Sequence, residues 1–435
     1  MNDYAPRRLA AGLLRSPRLG RAFSVTSLLV AFCTPAIRQT AGRVTLTTIL
    51  ICLGALALAI LLARRRAIRP LSIAPTTLLA FATWALISTM WSFNDAASLG
   101  GWVSLVGYGL LAVSIAIVRS QQSLMHDLAD TLRILLVASL AVEVLAGVFG
   151  VTFSTLGVSG GLLDGGPLQG VFVTRNLLAL VTVIALVTFI IEWRSATIAR
   201  LTSLWSIALA AFLAVFSGSP TAVVLVTAVV LALVALRIVR GATPAARNVL
   251  QWVFGTLVVV GLVTAYLLRH PILRWLDITA GFSLRADLWN EILDWVRLRP
   301  VQGFGWRGVW ASDDYPLYVI NLLMKQSHAS ALNAFFDVLL QLGWVGLVLF
   351  LTLCTVAFVR AWRSASTHPS IAFALTPILL VTLLVDSMFE SFTISEPGWL
   401  LLALCACRAS LTSSWRERLV AAGPGETRSH PGSAG

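Results

Sequence analysis

Uninterrupted apolar blocks of about 18 to 22 residues recur along this chain, and as helices each would cross roughly 30 Å of hydrocarbon. Inside lipid no water serves the backbone, so only helices and closed barrels can span it. Barrel strands alternate apolar and polar residues with period two, and these blocks do not. They predict an all-α, polytopic integral membrane bundle. Apolar residues make up 58% of 435 and charged ones 12%, about half the charge with which a soluble domain covers its core.

The blocks fall at 22–37, 45–63, 72–91, 99–118, 131–150, 174–192, 201–217, 221–239, 250–268, 333–359, 371–390 and 397–411, which gives about twelve transmembrane helices. The chain then divides into a basic N-terminus over 1–21, nine spans over 22–268, a large loop over 269–332, three spans over 333–411 and a tail over 412–435. The end of that tail is rich in Gly, Pro and Ser and is expected to be disordered. The first block follows a basic segment, as in a signal peptide. No small-x-small cleavage site follows it, so it is expected to stay as a signal-anchor helix.

A net charge of +13 would suggest nucleic acid for a soluble protein. Here most of the arginines sit in alternate short loops, among them Arg64, Arg65, Arg66 and Arg69, then Arg119, Arg194, Arg200, Arg240, Arg360 and Arg363. That is the positive-inside pattern, which puts both termini in the cytoplasm and the 269–332 loop, between the ninth and tenth spans, outside. No nucleic-acid partner is expected. Cys33, Cys52, Cys354, Cys405 and Cys407 lie in or beside apolar blocks without metal-ligand spacing, so neither disulfides nor a metal site are expected.

The outer loop breaks the charge pattern with Arg269, Arg274, Arg285, Arg297, Arg299, Arg307 and Lys325. Long loops translocate whatever their charge. A basic surface at the membrane boundary suits an anionic ligand, since the guanidinium fork matches phosphate. Lipid headgroups and ion pairs with Asp277, Asp287, Glu291 and Asp294 are the plainer use. Within the loop, Leu284, Leu288, Ile292 and Trp295 recur at helical spacing and predict an amphipathic helix over 283–298, capped by Ser283 and ended before Pro300. Arg285 and Trp289 are four apart and share a face, so a helix lying on the membrane surface would hold a guanidinium at headgroup depth. The turn 303–308, with Arg307 in it, has glycines that permit close backbone approach, either to a ligand or to the helix.

His328 is the histidine best placed for chemistry outside the membrane. With Ser327 as an N-cap it would enter the first turn of the next span, where the positive helix end favours a neutral imidazole. A neutral imidazole can take a proton from an attacking hydroxyl; capping the loop is the plainer role. Arg175 and Asn176 begin a span after a Gly-rich loop, and Glu143, Asp386 and Glu390 lie in or near spans, where charge is expensive.

The order of these features resembles the O-antigen ligase and O-antigen polymerase superfamily, which includes exopolysaccharide polymerases. The residues that carry the likeness are Gly170-Val171-Phe172-Val173-Thr174-Arg175-Asn176, the serine-rich turn Ser217-Gly218-Ser219-Pro220, the helix Ser283-Leu284-Arg285-Ala286-Asp287-Leu288-Trp289, the turn Arg299-Pro300-Val301-Gln302-Gly303-Phe304-Gly305, and Asn333 through Gly343-Trp344-Val345-Gly346. One departure stands out. The family pattern has adjacent His-Asn entering the next span, whereas here Leu332 precedes Asn333 and His328 lies five residues before it. On a helix His328 and Leu332 would share a face.

The resemblance implies glycosyl transfer without a metal or other cofactor, from a polyprenyl-pyrophosphate-linked glycan to a hydroxyl of a glycan or lipid acceptor. The reaction would sit on the outer face of the plasma membrane. Arg285 and Arg175 would hold the pyrophosphate and His328 would activate the acceptor. Asn176, Trp289, Arg307, Asn333 and Glu390 would line the substrate site. The divergent loop leans the reading towards a polymerase over a ligase. The alternative from another class is a secondary transporter or lipid-linked glycan flippase, which twelve helices would suit, but no inverted repeat is visible.

Overall fold

A computed structural model describes residues 12–65, 74–151, 153, 155, 157–158, 166–267, 283–311 and 313–412. Arg66, Arg69, Arg269, Arg274, Asp277 and the tail after 412 lie outside the described residues. Among the described residues there is no strand, only an isolated bridge between Phe153 and Val158.

The helices follow one another as α1 (Pro17–Thr40), α2 (Gly42–Arg64), α3 (Thr76–Ile87, continued as a 3-10 turn to Trp91), α4 (Asp95–Val118), α5 (Gln121–Gly147), α6 (Arg175–Arg194), α7 (Arg200–Phe216), α8 (Pro220–Gly241), α9 (Pro244–Leu267), α10 (Ser283–Leu298), α11 (Leu317–Met324), α12 (Ala334–Thr367), α13 (Leu375–Asp386) and α14 (Glu396–Thr412). Each apolar stretch expected to span overlaps a helix, though the helix over the 131–150 stretch, Gln121–Gly147, starts ten residues earlier. By length and composition α1, α2, α4, α6, α8 and α12 can cross a membrane, and the α3, α7 and α13 segments are apolar but shorter. The chain is therefore an all-helical protein with several candidate membrane spans.

Local signals set the helix starts. Ser16 accepts the Leu19 N–H at 3.2 Å ahead of Pro17, and Asn94, Ser120 and Thr174 cap α4, α5 and α6 in the same way. The first span, expected as a short 22–37 segment, is longer because this cap lies upstream of the apolar run. The helix α6 is central. It packs against α5, α7, α8 and α13, and 78% of its apolar window is buried, against 22% for the peripheral α2.

Arginine ends of the helices meet at one end of the bundle. Arg15 donates to Ala63 O at the end of α2, Arg119 to Pro17 O, Arg408 to Ala116 O, and Arg240 to His368 O. The described chain ends, at Gly12 and Thr412, belong to this end too.

The tenth predicted span is not one rod. Gly343 has φ 65° and ψ −168°, which breaks α12 after Leu342. Backbone groups freed by the break find partners in the neighbouring chain. Leu340 O accepts from Phe304 N–H at 3.0 Å, Gln341 O from Gly305 N–H at 2.8 Å, and Leu342 O from the Trp84 indole at 3.1 Å, while Trp344 N–H donates to Pro300 O at 2.8 Å. Non-helical backbone near the membrane persists only where it is satisfied in this way. The segment 300–305 is thus stitched to the break. A Cβ on Gly303 would stand 2.5 Å from Gln341 O, and one on Gly343 would stand 2.3 Å from Val301 O. The glycine turn packs on the protein and gives no room to a ligand.

Candidate functional site

At the end of the bundle opposite the arginine loops, four segments converge. The first is α10, which spans Ser283–Leu298 as the periodicity predicts. It begins at Ser283 itself, so the preceding position, which would cap it, lies outside the described residues. Its inner face is Leu288, Ile292 and Val296, all buried, whereas Leu284 is half exposed. The stripe is shifted by one turn from the expected one because α10 packs on the start of α12 and on α11. Trp289 donates its indole N–H to Ala331 O at 2.9 Å and stacks on Phe336 at 5.3 Å.

Arg285, one turn before Trp289, reaches inward. It donates to Phe389 O, to Leu332 O at 3.4 Å and to Glu390 Oε1 at 3.0 Å. Glu390 lies in the turn after α13 and is buried; its Oε1 also accepts from Asn176 Nδ2 at 2.7 Å. Asn176 is the second residue of α6, and its Oδ1 accepts from Ser219 Oγ at 2.8 Å. The chain of contacts Arg285–Glu390–Asn176–Ser219 therefore joins α10, the α13 exit, the α6 start and the α8 cap. Burial raises the Glu390 carboxyl above its ordinary value, opposed by the Arg285 charge and by its hydrogen bonds from Arg285 and Asn176.

Asp386, at the last turn of α13, is within electrostatic reach of both Arg285 and Glu390. Both of its oxygens are buried with no hydrogen-bond partner among the described residues. Its position in an apolar run was a visible signal. Ser219 was signalled only by the serine-rich turn.

His328 is not in a helix. Asn333 caps α12, its Oδ1 accepting from Phe335 N–H at 2.9 Å and Phe336 N–H at 3.2 Å, so the helix starts at Ala334 and neither Ser327 nor His328 enters it. The helical face expected to join His328 and Leu332 is absent, since Leu332 has φ 50°. His328 lies instead in a loop held by Asn321, whose side chain bonds the His328 N–H and C=O at 2.9 Å each. Its Nε2 is buried without a hydrogen-bond partner among the described residues. Burial, and then the Arg285 charge, push the imidazole below its ordinary value. The neutral form is favoured as expected, but not by a helix dipole.

The remaining candidates separate. Arg175 is exposed at the start of α6, with no ion pair among the described residues. Asn333, besides capping, donates to Met388 O at 3.0 Å and is buried. Arg307 is buried away from the cluster and pairs with Asp314 at 3.4 Å. Its backbone N–H and that of Gly308 are held by Gln341 Oε1 at 2.7 and 2.9 Å. Glu143 binds the N–H groups of Gln169 and Gly170 at 2.9 and 2.8 Å, which fixes the turn before α6. Asp337 in the first turn of α12 gathers the Trp310 indole, the Ala331 N–H and the Ser391 hydroxyl. Gln341 and Asp337, unmarked in the sequence reading, hold the loop in place.

Two bulky residues sit in the left-handed region just ahead of the helices that carry the site: Val173 (φ 67°) before α6 and Leu332 before α12. Such strain persists only where surroundings over-determine it. Among the described residues no three His, Cys, Asp or Glu side chains come together to hold a metal ion.

Residues 205–351 match the family model described as O-antigen ligase. The match runs from α7 to residue 351 in the part of α12 after the Gly343 break, and so contains Arg285, Trp289, His328 and Asn333, while Arg175, Asn176 and Glu390 lie outside it. No curated protein matches the chain. That match, over residues 205–351, supports the resemblance of the chain to the O-antigen ligase and polymerase superfamily.

Proposed function

We propose that this protein transfers a glycan from a polyprenyl-pyrophosphate carrier to an acceptor hydroxyl at the extracytoplasmic face of the plasma membrane. The observation that carries the reading is the convergence of Arg285, Glu390 and Asn176 beside a His328 whose imidazole is pushed below its ordinary value by burial and the Arg285 charge. The family match over the Arg285 and His328 segments supports the same chemistry. By the positive-inside rule the arginine end is cytoplasmic, so the cluster faces outward and both termini face inward.

In the reaction the acceptor oxygen bonds to the anomeric carbon of the donor sugar, and the bond from that carbon to the pyrophosphate oxygen breaks. His328 Nε2 takes the hydroxyl proton. Negative charge grows on the departing pyrophosphate, where Arg285 opposes it from a fixed position. Glu390 and Asn176 set that position. Arg175, with the N-terminus of α6 behind it, supplies a second cationic contact for phosphate. Trp289 and Asn333 shape the wall between α10 and α12, and Arg307 secures the loop.

The divergent loop around His328 favours a polymerase over a ligase with a standard lipid acceptor. The test is the size and attachment of surface polysaccharide on gels, from cells with and without the gene. Short single-repeat chains after deletion identify a polymerase, and long chains left on the carrier lipid identify a ligase. Glycan unchanged in both length and attachment overturns the proposal.

A further inference from the structure

The arginine-rich end of the bundle holds a groove that glycan transfer leaves unused. Helices α1 and α5 pack side by side and run in the same direction, and between them lies an open groove of about 760 Å³. Arg18 and Arg21 of α1 and Asp130 and Arg133 of α5 form its rim, and Val25 and Ile134 line it further along the helices.

The rim is built rather than incidental. Arg133 donates from Nη1 to Asp130 at 3.0 Å and from Nε to Ser206 Oγ at 2.9 Å, pairs with the buried Glu192, and lies over the Phe189 ring at 5.0 Å. Arg21 reaches the other oxygen of Asp130 at 2.7 Å. Two arginines therefore share one carboxylate. Arg18 is exposed and has no ion-pair partner among the described residues. Three guanidiniums against Asp130 leave the rim at +2, or +1 when Glu192 behind Arg133 is counted.

The groove changes character with depth. Arg21 and Val25 lie one turn apart on α1, as do Asp130 and Ile134 on α5, so both walls pass from charged to apolar together. Ile134 and Val137 continue outward-facing along α5, 51% and 57% exposed. A ligand that fits is anionic at one end and apolar at the other, with its apolar part directed towards the membrane interior.

We propose that this groove binds an acidic glycerophospholipid from the leaflet at the arginine end, with its phosphodiester between Arg18 and Arg21 and an acyl chain along Val25, Ile134 and Val137. A guanidinium fork matches phosphate oxygens, and basic pockets between spanning helices take anionic headgroups. A choline phospholipid carries the same phosphate but cancels its charge, so a positive rim selects against it.

The test uses the full-length protein in detergent, with lipid retention read by native mass spectrometry and stability by thermal unfolding. Dioleoyl phosphatidylglycerol is expected to stay bound and to raise the unfolding temperature, while dioleoyl phosphatidylcholine and glycerol phosphate do neither. Arg18→Gln removes no hydrogen bond or ion pair among the described residues and is expected to lower phosphatidylglycerol retention roughly fivefold, with a similar further loss in the Arg18→Gln/Arg21→Gln double variant. Equal retention of the two lipids, or wild-type retention by the double variant, overturns the proposal. An equal thermal shift from glycerol phosphate alone also overturns it, since that identifies a phosphate site with no use for the acyl chain.

Discussion

Glu390 receives both Arg285 and Asn176 on one carboxylate oxygen, and that shared acceptor explains why the α10 guanidinium has a defined direction. A fixed cation is what a departing pyrophosphate needs, so Arg285→Ala is expected to lower transfer about a hundredfold or more. Arg285→Lys is expected to recover little, because a compact ammonium lacks the planar fork whose two nitrogens meet the Phe389 carbonyl and Glu390 separately. Transfer assayed on a lipid-linked donor, with unfolding temperature measured alongside, separates lost chemistry from lost fold. The His328 prediction concerns pH. Its imidazole lies below the ordinary value of 6.5, and only the neutral form accepts a proton, so activity should hold through neutral pH and fall on acidification below 6.5. For stability the sign is the same: the unfolded chain takes up the proton first as pH falls, so folding is favoured above 6.5 and weakens towards the lower folded value. A rate profile whose acid limb persists unchanged in His328→Ala would assign the limb, and the base, to another group.

At the scale of elements, the amphipathic helix was legible because its information is local: apolar residues at helical spacing and a proline just beyond its end. The break in α12 was not. Gly343 and Gly346 lie inside an apolar run that reads as uninterrupted helix, and the break is specified by contacts with residues 300–305 some forty positions away. The start of α12 was misplaced for a related reason. Ser327 and Asn333 are both good caps, and what selects Asn333 is the positive φ of Leu332 and the bond to Met388 O, neither of which a local pattern encodes. Gly343→Ala must meet both a left-handed conformation and the Val301 carbonyl, so it is expected to destabilise by about 3 kcal/mol or more, read as lost thermal stability in detergent. Asn333→Ala should cost about 1 kcal/mol from the cap alone.

For the whole molecule, the helical bundle and its charge asymmetry followed from apolar runs and arginine positions, whereas the assembly of Arg285, Glu390 and Asn176 did not, since Arg285 and Glu390 are 105 residues apart and pair only once α10 and α13 are packed. The asymmetry predicts sidedness. In a background without the native cysteines, Val301→Cys should react with a membrane-impermeant thiol reagent applied to intact cells, and Thr197→Cys should not; both positions are exposed, at opposite ends of the bundle. Reversed labelling would turn the candidate site inward. The stitched break in α12 also ties the segment that follows the Arg285 helix to bilayer thickness. Trp344–Thr367 is long enough to tilt when the hydrocarbon layer thins, and its first residue is bonded directly to Pro300, two residues beyond the helix that carries Arg285. If the protein carries out the proposed transfer, reconstitution into short-chain and long-chain lipids should therefore change its turnover, which would make it a gauge of the membrane around it.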